Sequence, residues 1–80
     1  MKKIWIVIVY SRRDKYNTGV AVNQQFFETN GAAMKFCESR LTPEEVERHY
    51  KQLQRGLISW YEYSNKDYIY EIKELERAIN

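Results

Sequence analysis

One cysteine, one histidine, one proline and three glycines stand among the eighty residues. Each scarcity excludes something. Cys37 alone forms no intramolecular disulfide, whereas small secreted domains usually carry several. The expected setting is therefore the cytoplasm. Cys37 and His49 together are too few for a structural zinc site, and no acidic cluster has calcium-loop spacing. No metal or cofactor is expected. Gly19, Gly31 and Gly56 are isolated, so no glycine-rich phosphate loop, dinucleotide fingerprint or nucleophile elbow is present. Long apolar runs are missing too. The longest, Ile4-Trp5-Ile6-Val7-Ile8-Val9-Tyr10, reaches about 23 Å as a strand but only about 10 Å as a helix, far short of a membrane span. Lys2 and Lys3 before it resemble the start of a signal peptide, but Ser11-Arg12-Arg13-Asp14-Lys15 follows with no small-residue cleavage site.

What is abundant is aromatic. Two Trp, seven Tyr and three Phe make 15% of the chain. Eighty residues suit one domain, residues 1–80. With 44% hydrophobic and 30% charged residues, the composition is that of a globular domain, not a disordered tail. The net charge is +2, and the halves differ. Residues 1–40 carry seven Lys/Arg against three Asp/Glu, and residues 41–80 carry six against eight. This asymmetry permits a basic patch but falls short of the strongly basic profile of nucleic-acid modules.

The periodicity predicts the order ββααββ, an α+β fold with a four-stranded antiparallel sheet and two helices on one face. Residues 3–10 read as a central strand buried on both sides, with Ile4, Ile6, Ile8 and Tyr10 on one face and Trp5, Val7 and Val9 on the other. Residues 11–17 read as a polar turn. Residues 18–28 resume alternation as a second strand, bulged near Asn23. Ala33, Phe36, Cys37 and Leu41 then fall on a helical stripe, which predicts a helix over about 30–40 capped by Thr29 or Asn30. Thr42-Pro43-Glu44-Glu45 is a capping box with proline at the first helical position, opening a helix over 43–55 that Gly56 stops. Residues 57–63 and 67–72 form a second hairpin around Ser64-Asn65-Lys66-Asp67. The tail, residues 73–80, fits either a short helix or a continuation of the last strand.

Two features point to binding. The first is the aromatic hairpin, where Trp60, Tyr61, Tyr63, Tyr68 and Tyr70 crowd into eleven residues among acids. Tyr and Trp dominate protein-binding hot spots. They also form stacking platforms for single-stranded nucleic acid, which the flanking acids disfavour. Cross-strand tyrosine pairs that merely stabilise a sheet account for them equally well. The second is the loop carrying Arg12, Arg13, Lys15 and Tyr16, suited to phosphates or an acidic protein surface, or simply a solvated turn. Catalytic signals are thin. His49 borders its helix stripe and reads as a surface or boundary residue. Cys37 lies on an apolar stripe, where an inert thiol is the expectation.

The segment Phe26-Phe27-Glu28-Thr29-Asn30-Gly31-Ala32-Ala33-Met34-Lys35-Phe36-Cys37 resembles a pattern of small bacteriophage accessory proteins, in which a strand ends in Phe and a Thr or Ser cap opens a helix with an early Ala and a later Phe. The opening Met-Lys-Lys with its apolar strand and the closing Tyr68-Ile69-Tyr70-Glu71-Ile72 extend the likeness, and the helix over 43–55 departs from the shortest such proteins. The resemblance implies a non-enzymatic protein that binds and disables a host enzyme or defence factor. The alternative is an RNA- or DNA-binding module using the basic loop. A twofold homodimer through the edge hairpin is a further open arrangement.

Overall fold

The computed structural model describes residues 2–58 and 61–77, so Ser59 and Trp60 lie outside the described residues. Seven elements follow in order: β1 (Lys2–Ser11), α1 (Arg12–Lys15), β2 (Asn23–Phe27), α2 (Asn30–Ser39), α3 (Pro43–Gln54), β3 (Glu62–Ser64) and β4 (Tyr68–Arg77). The strands make one antiparallel sheet in the order β2-β1-β4-β3. The fold is thus the expected α+β sheet with its ββααββ order, to which the helical turn α1 is added.

The apolar run of β1 occupies a central position because only a strand hydrogen-bonded on both sides suits residues with no polar face. Its register sets Val7 against Ile72 and Val9 against Tyr70, and Tyr70 lies opposite Tyr63 of β3. These side chains share one face. On it they meet Ala33 and Cys37 of α2 in a buried cluster, with Trp5, Phe27, Met34, Phe36 and Leu41 packed around it. The α2 stripe is therefore the one read from the sequence. α3 lies over the same face further along, where His49 stacks on Tyr63. The opposite face carries Ile4, Ile6, Ile8, Tyr10, Ile69 and Leu75, and among the described residues the short α1 is the helix that reaches it.

Local chemistry sets the helix ends. Thr29 Oγ1 accepts the Ala32 N–H at 3.1 Å and caps α2. At α3, Thr42 Oγ1 accepts the Glu45 N–H at 3.2 Å, and Glu45 Oε1 accepts the Thr42 N–H at 2.9 Å, closing the capping box. The C-terminus of α3 is a Schellman motif. Gly56 takes φ +70°, its N–H bonds the Leu53 carbonyl, and the Leu57 N–H bonds that of Gln52, both at 3.0 Å.

Three expectations need correction. The second strand covers Asn23–Phe27 rather than 18–28. Residues 11–17 do not form a simple turn; Arg12–Lys15 coil into α1, and the Asp14 carbonyl accepts the N–H groups of Asn17, Thr18 and Gly19. The chain needs residues 18–22 to return to the sheet edge, so the alternating Val20-Ala21-Val22 finds no partner strand until Val22 N–H meets the Val9 carbonyl at 2.8 Å. The third strand covers Glu62–Ser64 rather than 57–63: Leu57 is spent on ending α3, and Ser59 and Trp60 lie outside the described residues. In the tail, the strand reading holds up to Arg77. β1 begins at Lys2 and offers a partner for every residue of β4, and Lys3 Nζ reaches Glu74 at 3.0 Å across the pair.

Candidate functional site

The aromatic hairpin divides into core and surface. Tyr63 and Tyr70 point at the helices and are 1% and 5% exposed, while Tyr61 and Tyr68 are 47% and 41% exposed. Burial removes Tyr63 and Tyr70 from a direct contact surface and gives them the role of cross-strand core partners. Trp60 lies outside the described residues. Tyr61, level with Ile72, and Tyr68, level with Asn65, lie at opposite ends of the β3–β4 pairing, with the buried Tyr63 and Tyr70 between them, so the exposed rings do not combine in one patch.

Asn65 organises the turn between β3 and β4. Its Oδ1 accepts the backbone N–H groups of Asp67 and Tyr68, at 2.9 and 2.8 Å. Its Nδ2 donates to the Arg40 carbonyl at 3.0 Å and to the Tyr70 hydroxyl at 3.3 Å. One amide therefore closes the turn and ties it to the end of α2. Burial pushes the Tyr70 hydroxyl above its ordinary pKa.

From the core an aromatic series runs outward. Phe27 and Phe36 have ring centroids 5.3 Å apart, Phe36 and Tyr70 meet edge-on at 6.4 Å, and Tyr70 and Tyr68 lie 6.4 Å apart. The series ends in a groove of about 330 Å³ bordered by Val22, Asn23, Phe36, Arg40, Tyr68 and Tyr70. The Arg40 guanidinium lies 5.0 Å from the Phe36 ring centre, which fixes a cation on the groove wall. Val22, Arg40 and Asn65 were invisible as site residues in the sequence. Val22 read as strand, Arg40 as the helix end, and Asn65 as one of four interchangeable turn residues.

The basic loop does not act as one patch. Lys15 Nζ sits 3.0 Å from Glu62 Oε1 and 3.1 Å from Glu71 Oε2, with the Tyr10 and Tyr16 rings 5.4 and 5.6 Å away. Glu62 and Glu71 are directly opposite in the β3–β4 register, a repulsive pair that Lys15 neutralises. Burial opposes the Lys15 charge, but hydrogen bonds to Glu62 and Glu71 outweigh it and raise the pKa. Arg12 turns the other way: its Nη1 donates to the Asn65 carbonyl at 3.0 Å. Arg13 and Tyr16 remain exposed. Arg12 is thus tied to the β3–β4 turn and Lys15 to the acids of the opposite sheet face.

Cys37 and His49 are both buried. Burial pushes the Cys37 thiol up to about 12, with the nearby Glu38 charge adding to the effect, so it carries no thiolate at neutral pH. His49 is not the boundary residue expected. It is 4% exposed, with neither ring nitrogen hydrogen-bonded. Beside it, the Tyr50 hydroxyl donates to Glu38 Oε1. Among the described residues, no helix is long and apolar enough to cross a membrane. No protein-family model, curated protein or solved structure matches the chain.

Proposed function

We propose that this chain is a small non-enzymatic binding protein of the bacteriophage accessory kind, acting in the bacterial cytoplasm to inhibit a host or defence protein through protein–protein contacts. The observation that carries the reading is the groove of Tyr68, Arg40 and Val22. It places an exposed Tyr and an exposed Arg beside an exposed apolar residue, on a wall held by Asn65 and the buried aromatic series. Tyr and Arg are the residue types over-represented in binding hot spots, and rigid support lowers the entropy lost on docking. Tyr68 and Tyr70 keep their place at this surface, Tyr68 as the contact and Tyr70 as its support. Tyr61 stands apart from the groove.

The test is affinity capture from a bacterial lysate, run with and without nuclease and with a Tyr68→Ala variant in parallel. The reading expects a protein captured by the native chain, indifferent to nuclease and lost with Tyr68→Ala. Capture that disappears with nuclease and persists in Tyr68→Ala assigns the chain to nucleic-acid binding instead.

A further inference from the structure

Three cations that are far apart in the sequence come together on a part of the surface that shares no residue with the Tyr68 groove. Arg12 opens α1, Arg48 stands on α3, and Lys66 sits in the β3–β4 turn. With Thr42 and Glu45 they line an open cavity of about 570 Å³. That size falls within the roughly 300–1,000 Å³ of small-molecule sites. Among the described residues, three positive charges face one negative one.

The single carboxylate is already committed. Glu45 Oε1 accepts the Thr42 N–H, and this bond, with the Thr42 hydroxyl, the nearby Arg48 charge and the Lys66 backbone N–H, overcomes burial and holds Glu45 below the usual carboxylate range. Its contact with Arg48 is long, at 3.9 Å. Arg12 uses Nη1 on the Asn65 carbonyl, which orients its guanidinium and leaves the remaining donors free of that bond. Lys66 Nζ has no ion-pair partner among the described residues. The fold therefore orients the Arg12 guanidinium, Glu45 meets Arg48 through one long contact, and the Lys66 ammonium stays unpaired among the described residues. The N-terminal amides of α3 contribute little here, since the capping box occupies those of Thr42 and Glu45.

We propose that this cavity binds a small oligophosphate, a molecule with two or more linked phosphoryl groups. A single phosphate satisfies one or two of the three cations, whereas a linked chain engages all of them. Guanidinium forks at Arg12 and Arg48 suit phosphoryl oxygens, and Lys66 supplies a point charge. Among the described residues no aromatic side chain lines the cavity, so none of them offers a nucleobase a stacking partner there.

Calorimetric titration with inorganic triphosphate tests the assignment, with inorganic phosphate and a single-stranded oligonucleotide as comparison ligands. The expected result is one saturable site per chain, at least tenfold tighter for triphosphate than for phosphate. Arg48→Ala and Lys66→Ala should each weaken it about fivefold to tenfold, while Arg55→Ala, on the C-cap of the same helix, leaves it unchanged. Both altered side chains are exposed, so the variants should fold. Absence of a saturable site would overturn the proposal, as would equal weakening by Arg55→Ala, which reports diffuse charge. Tighter binding of the oligonucleotide than of triphosphate overturns it too, because a nucleic-acid backbone is then the ligand.

Discussion

His49 stacks face to face on Tyr63, with ring centroids 4.0 Å apart and planes 16° from parallel. The pair joins α3 to the edge strand β3, and both rings are buried. Among the described residues neither nitrogen of His49 has a hydrogen-bond partner. The junction therefore relies on ring packing and carries unsatisfied polar atoms.

The first prediction concerns this junction. His49→Phe keeps the stack and removes two buried unpaired nitrogens, each such group costing on the order of 1–3 kcal/mol. The melting temperature should rise or stay level. His49→Ala instead leaves a cavity and should cost about 2–4 kcal/mol. A melting temperature for His49→Phe clearly below that of the native chain would show that the nitrogens are satisfied.

The same residue sets a pH dependence. Burial lowers the His49 pKa below its ordinary value, despite the raising effect of Glu38. The unfolded chain therefore binds a proton before the folded one does. Stability from the neutral ring is complete above the unfolded pKa of about 6.5 and declines as pH falls below it, until the folded pKa is passed. Chemical denaturation at a series of pH values should show this decline in the native chain, and His49→Phe should flatten it between pH 6.5 and 5.

Lys15 is the next target. It lies between two acids that the sheet register sets opposite one another. Lys15→Met should destabilise the chain by about 1–3 kcal/mol through the exposed repulsion. Adding Glu62→Gln should restore much of the loss, which a double-mutant cycle measures. Additive effects would mean that the three charges are independent.

Cys37 should resist alkylation in the folded state and react only on unfolding, because burial holds its thiol protonated. A labelling time course with and without denaturant checks this. Rapid reaction in the native chain would identify an accessible thiolate.

The elements whose evidence is local were readable in advance. Thr42-Pro43-Glu44-Glu45 with Gly56 marked α3 almost to the residue, since caps and stops act within a single turn. The Ala33–Phe36–Cys37 stripe did the same for α2. Failures arose where a distant partner decides. Val20-Ala21-Val22 alternates like a strand, but pairing with β1 starts at Val22, whose N–H meets the Val9 carbonyl; the choice left open for residues 73–77 fell to a strand because β1 starts early enough to meet them. At the surface, alternation groups Tyr61 with Tyr63 on one strand and Tyr68 with Tyr70 on the other, and the register sets Tyr63 opposite Tyr70. Alternation could not say which of them the helices cover. That depends on how β3 is registered against β4, and this is also why Arg40 and Val22 join Tyr68 only in the folded chain.

The measurement closest to the central claim is the affinity of a captured partner for the native chain and for Tyr68→Ala, Arg40→Ala and Tyr61→Ala, each shown to be folded. A protein-binding site in the Tyr68 groove predicts a loss of about 2 kcal/mol or more, some thirtyfold in Kd, for Tyr68→Ala and Arg40→Ala. Tyr61→Ala should bind almost as the native chain does. Full affinity in folded Tyr68→Ala, with the loss falling on Tyr61→Ala, would contradict the account.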